Sequence, residues 1–307
     1  MKENLVGLID LGSNSIRLVL YRIDNHGEYK EVEKAKVTAR LINYLNAKGN
    51  LTKEGIHLIL KTLKGFKKLT QAYKVNVVRG FATAVLREAS NQRDVLKEIK
   101  KQTDYSFQVL NKDEEAYYGY VGVIQSMDIE EGITIDCGGG STEITWFKER
   151  KLMKSHSFPF GTITLNREFT NEKQVTVKQI DHLKANLASQ FNTLSWLEQV
   201  NGPLIGMGGN ARNLTRIFQN KYTKKQNSIK PDQIESIFEE LSSLPMNKRS
   251  NIKGLSKKRQ DLIIPGVLTI GTLMDSVQAP YFVFSDTTIR DGILYEEFIN
   301  KRERNLG

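Results

Sequence analysis

Ile133-Thr134-Ile135-Asp136-Cys137-Gly138-Gly139-Gly140-Ser141-Thr142-Glu143-Ile144-Thr145-Trp146 reads as strand, turn and strand. Ile133 and Ile135 mark a buried strand that ends on a carboxylate. Three glycines follow, then two hydroxyls, a second carboxylate and the alternating pair Ile144 and Trp146. Glycine tolerates positive φ and lets the backbone come close to a ligand. Successive backbone N–H groups in such a turn form a concave anion site. Ser141 and Thr142 add donors, and Asp136 and Glu143 are hard oxygen ligands of the kind a divalent cation takes beside an anion. A tight glycine hairpin with no ligand accounts for the isolated string equally well.

A second copy of the pattern changes that balance. Leu8-Ile9-Asp10-Leu11-Gly12-Ser13-Asn14-Ser15-Ile16-Arg17-Leu18 aligns with it at a shift of 126 positions. Ile9 falls on Ile135, Asp10 on Asp136, Gly12 on Gly138, Ser15 on Ser141 and Leu18 on Ile144. Two strand–turn–strand units with one Asp-x-Gly-x-x-Ser core point to a duplicated domain. Two such hairpins facing each other across a cleft would grip a polyphosphate from both sides. The expected division is 1–126 and 127–307, with no Pro/Ser-rich linker between the halves.

The 307 residues suit two domains of ordinary size. Hydrophobic residues at 39% and charged residues at 26% give a globular balance. The single cysteine, Cys137, rules out an internal disulfide and fits a reducing compartment. The start, Met1-Lys2-Glu3-Asn4, lacks the long apolar run of a signal peptide. No window has the roughly 18 apolar residues of a membrane span. The expectation is a cytoplasmic protein with no membrane partner. A formal charge of +10 favours polyanionic partners. The basic residues, such as Lys100 and Lys101, are scattered as on solvated helix faces. No aromatic-plus-basic module points to nucleic acid.

Read in order, residues 5–10, 16–23 and 28–38 are strands. Thr52 caps a helix to about Tyr73, whose apolar face carries Ile56, Ile59, Leu60, Leu63 and Phe66. A strand at 75–78 runs into Ala82-Thr83-Ala84, a ligand-facing loop ahead of Arg87. A surface helix start capped by Thr83 explains the same residues. A helix at 91–102 and a strand at 105–110 precede Asp113-Glu114-Glu115-Ala116 at a helix start, where the dipole alone favours acids. In the second half, strands at 151–158 and 203–207 and helices at 175–195, 210–219 and 231–243 are expected. A further helix runs from Ile263 to about 278, and a last strand covers 281–284. Phe158 to Thr162 reads as a turn. Gly206-Met207-Gly208-Gly209-Asn210 is a strand-to-helix junction suited to a phosphate or a nucleoside.

Several of these stretches together resemble the exopolyphosphatase/guanosine pentaphosphate phosphohydrolase family of the actin-like ATPase superfamily. They are Ile9-Asp10-Leu11-Gly12-Ser13-Asn14-Ser15, Ala82-Thr83-Ala84-Val85-Leu86-Arg87, Glu114-Glu115-Ala116, Ile135 to Glu143, Gly208-Gly209, Arg259 to Gly266 and Ile289-Arg290-Asp291-Gly292. They cover nearly the whole chain, without the extra helical region of longer members. The resemblance implies an α/β chain of two duplicated ribonuclease-H-like domains around a central cleft. It implies phosphate contacts from Gly12, Ser13, Asn14, Ser15, Thr83, Gly138, Gly139, Gly140, Ser141, Thr142, Gly208 and Gly209. Arg87 would contact a phosphoryl group. Glu115 would activate water, with the adjacent Glu114 the alternative for that role. Asp136, Glu143 and Asp10 would lie at a magnesium ion, with a monovalent cation such as K⁺ left open. A homodimer is plausible by family analogy alone.

The implied activity is exopolyphosphatase, releasing terminal orthophosphate from inorganic polyphosphate by Mg²⁺-assisted attack of water. Such chemistry needs charge neutralisation and positioning more than covalent help. Hydrolysis of guanosine pentaphosphate, with tetraphosphate as its companion alarmone, would use the same residues. A kinase or ATP-driven machine of the superfamily fits the hairpins but not Glu114-Glu115-Ala116 and Arg87. A non-catalytic sensor of polyphosphate or alarmone has no need of Glu115, Asp136 and Glu143.

Overall fold

The computed structural model describes residues 4–170 and 173–300. They fall into two compact units, one reaching to Glu115 and resuming at Ile293, the other Ala116–Gly292.

In the first unit, β1 (Asn4–Leu11), β2 (Ser15–Ile23) and β3 (Tyr29–Thr38) form the antiparallel run expected from the sequence. Helix α1 (Lys53–Ala72) follows, with the Thr52 hydroxyl accepting from Gly55 N at 3.3 Å. Its predicted face is the buried one: Ile59, Leu60, Leu63 and Phe66 pack into the core beneath the sheet. Then come β4 (Val77–Ala82), the short α2 (Ala84–Arg87), α3 (Gln92–Thr103), β5 (Phe107–Val109) and α4 (Lys112–Ser126). The strand expected at 75–78 lies further along. Val75 N bonds back to Thr70 O and Asn76 N to Leu5 O, so these residues close the turn after α1. The strand then runs through Arg79, Gly80 and Phe81 to the edge of Thr83.

The second unit repeats the plan. β6 (Gly132–Cys137), β7 (Thr142–Lys148) and β8 (Lys151–Phe158) are antiparallel. The elements that follow are α5 (Thr162–Leu165), α6 (Val177–Phe191), β9 (Leu204–Met207), α7 (Gly208–Lys221), β10 (Ser228–Ile229), α8 (Pro231–Ser243), α9 (Ile263–Val277), β11 (Phe282–Phe284) and α10 (Ile289–Leu294). Sheet order is β3-β2-β1-β4-β5 in the first unit and β8-β7-β6-β9-β11-β10 in the second. The two agree strand for strand, and β10 is an added edge. Apolar α9 is buried on nearly every side, at the centre of a core with Leu183, Leu187, Phe218 and Ile237.

The units part between Glu115 and Ala116, inside α4, whereas the sequence reading placed the boundary near 126. Beyond that point α4 belongs with the second unit: Ala116 O accepts from the Thr145 hydroxyl, and Tyr120 Oη donates to Arg150 O at 2.7 Å. Residues 293–300 rejoin the first unit, where Glu297 meets Arg79 at 2.9 Å. The sequence also suggests a final helix after Gly292 to the last residue, and its end, 301–307, lies outside the described residues. Among the described residues no helix is long and apolar enough to cross a membrane.

Candidate active site

The duplicated pattern holds at the level of single hydrogen bonds. Gly12 N donates to Ser15 O at 3.1 Å, and Gly138 N donates to Ser141 O at 3.0 Å. Asp10 ends β1 as Asp136 ends β6, each one residue short of the strand end. The copies differ across the strand pair. Asp10 stands opposite Arg17, but Asp136 stands opposite Glu143.

In the first unit the carbonyls of the loop are tied down. Asn14 O accepts from Ala39 N and Arg40 N, and Ser13 O from Ile42 N. The side chains are not: Ser13 Oγ and Asn14 Oδ1 are buried atoms with no hydrogen-bond partner. Buried polar groups of this kind normally carry a partner, so these two fit a ligand. Thr83 is buried at the end of β4, its N–H on Leu11 O. A Cβ on Gly12 would sit at ordinary contact distance, 3.5–3.9 Å, from Ser15 O, Asp10 Oδ1 and Thr83 Oγ1, so carboxylate, loop and threonine hydroxyl surround one point.

Arg87, on α2, donates from Nη1 to Glu115 Oε2 at 2.6 Å and to Leu110 O at 3.2 Å. Glu88 lies 3.4 Å from its Nε. Glu115 is only 5% exposed. The neighbouring Glu114 does a different job. Its Oε2 accepts from Asn111 N at 2.8 Å and its Oε1 from Gln108 Nε2 at 3.1 Å, while Asn111 Oδ1 accepts from Glu114 N. That is a reciprocal cap on the start of α4, so the two glutamates separate into a helix cap and a buried partner of Arg87.

In the second unit the segment Phe158 to Thr162, a plain turn by sequence, props the glycine loop. Thr162 N and Oγ1 both donate to Gly138 O, and Ile163 N donates to Gly139 O at 3.0 Å. Thr142 Oγ1 donates to Phe160 O at 2.8 Å. Gly161 lies so close that a Cβ there would meet the backbone of Gly138, Gly139 and Gly140 within 2.7 Å. The sequence signal was Gly161-Thr162 itself, a glycine followed by a hydroxyl at a helix start. Ser141 is buried beside the loop. Positive φ is taken by Gly208, at +75°, rather than by Gly12 or Gly138. A Cβ on Gly208 would fall 2.6 Å from Asp136 Oδ1, and one on Gly209 would collide with the Arg259 guanidinium. Gly209 therefore serves close approach, and Gly208 serves both close approach and the positive φ.

Asn210 is buried and joins three elements. Its Nδ2 donates to Cys137 O at 2.9 Å, and its Oδ1 accepts from Arg259 Nη1 at 3.0 Å. Burial pushes Arg259 below the ordinary arginine range, and the charge of Asp136 is the largest effect opposing that shift. Glu143 accepts from Ser157 Oγ at 2.8 Å.

Among the described residues no three His, Cys, Asp or Glu side chains converge as a metal site. What the second unit provides is the cross-strand pair Asp136 and Glu143, a placement that like charges disfavour unless compensated. Mg²⁺ commonly takes one or two carboxylates with water and phosphate oxygens, so this pair fits the ion.

Cys137 is buried, and burial pushes its thiol up to about 12. It stays a neutral thiol through the neutral range, and thiolate is the reactive form. Native protein at pH 8 should therefore leave Cys137 unmodified by an aromatic disulfide reagent over minutes, and denaturant should release one reactive thiol. Rapid native modification would show that the end of β6 opens.

The chain matches the Ppx/GppA phosphatase family over residues 19–301. It is 27% identical to a bifunctional 3-dehydroquinate synthase/phosphatase of Fusobacterium nucleatum, over 95% of this chain and 46% of that protein, so it spans about half of that relative. A putative exopolyphosphatase of Haemophilus influenzae is 23% identical over 94% of this chain and 90% of its own. A guanosine-5′-triphosphate,3′-diphosphate pyrophosphatase of Pseudoalteromonas atlantica is 25% identical over 99% of this chain and 60% of its own. The crystal structure of the Aquifex aeolicus Ppx/GppA family member superposes with a TM-score of 0.81 at 25% identity, covering 98% of this chain and 99% of that one. That match carries the two actin-like domains that the family resemblance implies, and the chain belongs to the Ppx/GppA phosphatase family.

Proposed function

We propose that this chain is an exopolyphosphatase that releases the terminal orthophosphate of inorganic polyphosphate. The observation that carries the proposal is the buried Arg87–Glu115 pair at 2.6 Å, in the unit whose phosphate loop leaves Ser13 Oγ and Asn14 Oδ1 without partners. The family's phosphatase character and the exopolyphosphatases among its relatives support it.

Glu115 takes a proton from the attacking water as its oxygen bonds to the terminal phosphorus. The bridging P–O bond breaks, and the chain leaves one phosphate shorter. Arg87 orients Glu115 at rest and turns hydrogen-bonding capacity to the phosphoryl oxygens as their charge develops. Glu114 keeps the start of α4 in place. The Ser13–Ser15 and Gly138–Thr142 loops hold phosphate oxygens. Mg²⁺, held by Asp136 and Glu143, would neutralise phosphate charge next to those carboxylates. Asp10, opposite Arg17, has a cation of its own strand pair and is the weaker ligand of the three.

Phosphate release should be followed from long-chain polyphosphate, guanosine pentaphosphate and ATP in parallel, with Mg²⁺ and with a chelator. Mg²⁺-dependent release from polyphosphate at the highest kcat/KM supports the proposal. Preference for guanosine pentaphosphate, the substrate class of the Pseudoalteromonas relative's name, moves the activity to alarmones with the same residues. Undiminished release in chelator would remove the metal from Asp136 and Glu143.

A further inference from the structure

Beside Arg87 a cavity of about 440 Å³ opens toward the first turns of α3, where Arg93 and Lys97 line it. A second cavity, of about 570 Å³, has Arg93 and Lys97 in its wall and extends to Lys100 and Lys101. The shared residues make the two spaces neighbours along one helix. Positions 93, 97, 100 and 101 follow the i, i+4, i+7, i+8 spacing of a single helix face. All four side chains are exposed, whereas Val95 and Ile99 on the other face are fully buried. From Arg93 to Lys101 the helix advances about 12 Å.

The acids nearby do not cancel this stripe. Asp94 lines the first cavity, and it is the one carboxylate among the residues lining either space. Glu98 accepts from Gln102, Asp104 pairs with Lys67, and Glu88 lies against Arg87. Lys100 also donates to Asp104 O. Leu96 and Phe107 supply a low-dielectric wall under the lysines of the second cavity. Such walls strengthen the field of like charges above them. The N-terminus of α3 opens into the first cavity with no side-chain cap, because Asn91 is bonded to Leu51 instead.

We propose that this face of α3 is a chain-binding subsite: it holds interior phosphates of a long polyphosphate whose terminal group is at Arg87. The proposal rests on the phosphatase reading above and adds where the rest of the substrate lies. Exposed lysines are mobile point charges, suited to a flexible, repeating anion. Among the residues lining either space Phe107 is the one aromatic, and it is half-buried beneath the lysines.

The test uses the full chain with Lys97→Glu and Lys101→Glu combined, and a Lys97→Gln/Lys101→Gln variant in case charge reversal perturbs folding. Steady-state kinetics are measured on long-chain polyphosphate and on tripolyphosphate across a salt series. The expected result is a rise of about tenfold in KM for the long chain, with kcat and the tripolyphosphate KM unchanged. The salt dependence of the long-chain KM should also become shallower. An unchanged long-chain KM overturns the subsite, and so does an equal rise for tripolyphosphate. If wild type releases phosphate from neither polymer, the phosphatase reading fails separately. Calorimetric binding of long-chain polyphosphate then decides the subsite: weaker binding by the variants supports it, and equal binding overturns it.

Discussion

Glu115→Gln is expected to lower kcat for phosphate release by roughly 10²- to 10⁴-fold, the usual contribution of a general base. The amide is isosteric and keeps an oxygen that can accept from Arg87 Nη1, so the contact at 2.6 Å survives while the base is lost. Breaking a buried ion pair by deleting one partner typically costs about 3–5 kcal/mol. Here the loss should be smaller, because Arg87 keeps Leu110 O and the partly exposed Glu88. The variant should therefore melt cooperatively, a few degrees below wild type. Glu114→Gln is the control. Its oxygens cap α4, so it should keep near-wild-type turnover and lose a little stability. Should the two variants behave the other way round, the roles drawn here for the two glutamates are reversed. Arg87→Ala combined with Glu115→Gln should be scarcely worse than the slower single variant, since groups that act as a unit are not additive.

Gly161→Ala should damage both folding and turnover, although Gly161 is not expected to touch phosphate. Its φ of −139° is open to any residue, so the obstacle is space. The new methyl would press on the backbone of Gly138, Gly139 and Gly140, none of which has a side chain to move aside. Overpacking of this kind costs about 1–3 kcal/mol. The relief available is to push the loop outward, which also disturbs the bonds from Thr162 and Ile163. A displacement near 1 Å at a substrate-positioning loop can reduce rate by about 10²-fold. Gly65→Ala makes the comparison. It sits within α1 with nothing within 4 Å of the added carbon, and should gain up to about 1 kcal/mol. Thermal melts and phosphate release on both variants check this. A Gly161→Ala protein with wild-type melting and turnover would show that the prop is slack.

The duplicated hairpins were legible because register carries them: a period-two strand ending in Asp, then Gly and Ser at fixed offsets, leaves one way to pair. That reading extends to Gly12 N–Ser15 O and its counterpart Gly138 N–Ser141 O. The two glutamates were not separable in the same way. Both lie in the first turn of α4, where the helix dipole favours any acid, and only the side-chain bonds of Asn111 and Gln108 distinguish the cap. At Gly161 the local signal, a glycine before a hydroxyl, marks only a helix start, because the constraint on it is contact with a loop distant in sequence. The strand misplaced at 75–78 followed Val75 and Val78, yet Val75 is used to end α1. The parting of the units inside α4 was hidden for a related reason, since helical periodicity is uninterrupted across Glu115 and Ala116.

The return of residues 293–300 to the first unit has a consequence for synthesis. Residues 116–292 are contiguous, so the second unit can complete its core as soon as its last residues leave the ribosome. The first unit, although begun earlier, lacks Glu297 for Arg79 and the buried Ile299 until residues 293–300 have also emerged. Domains on a nascent chain generally fold in the order they are made. In this protein the half begun first is the half finished last, and its younger copy closes before it.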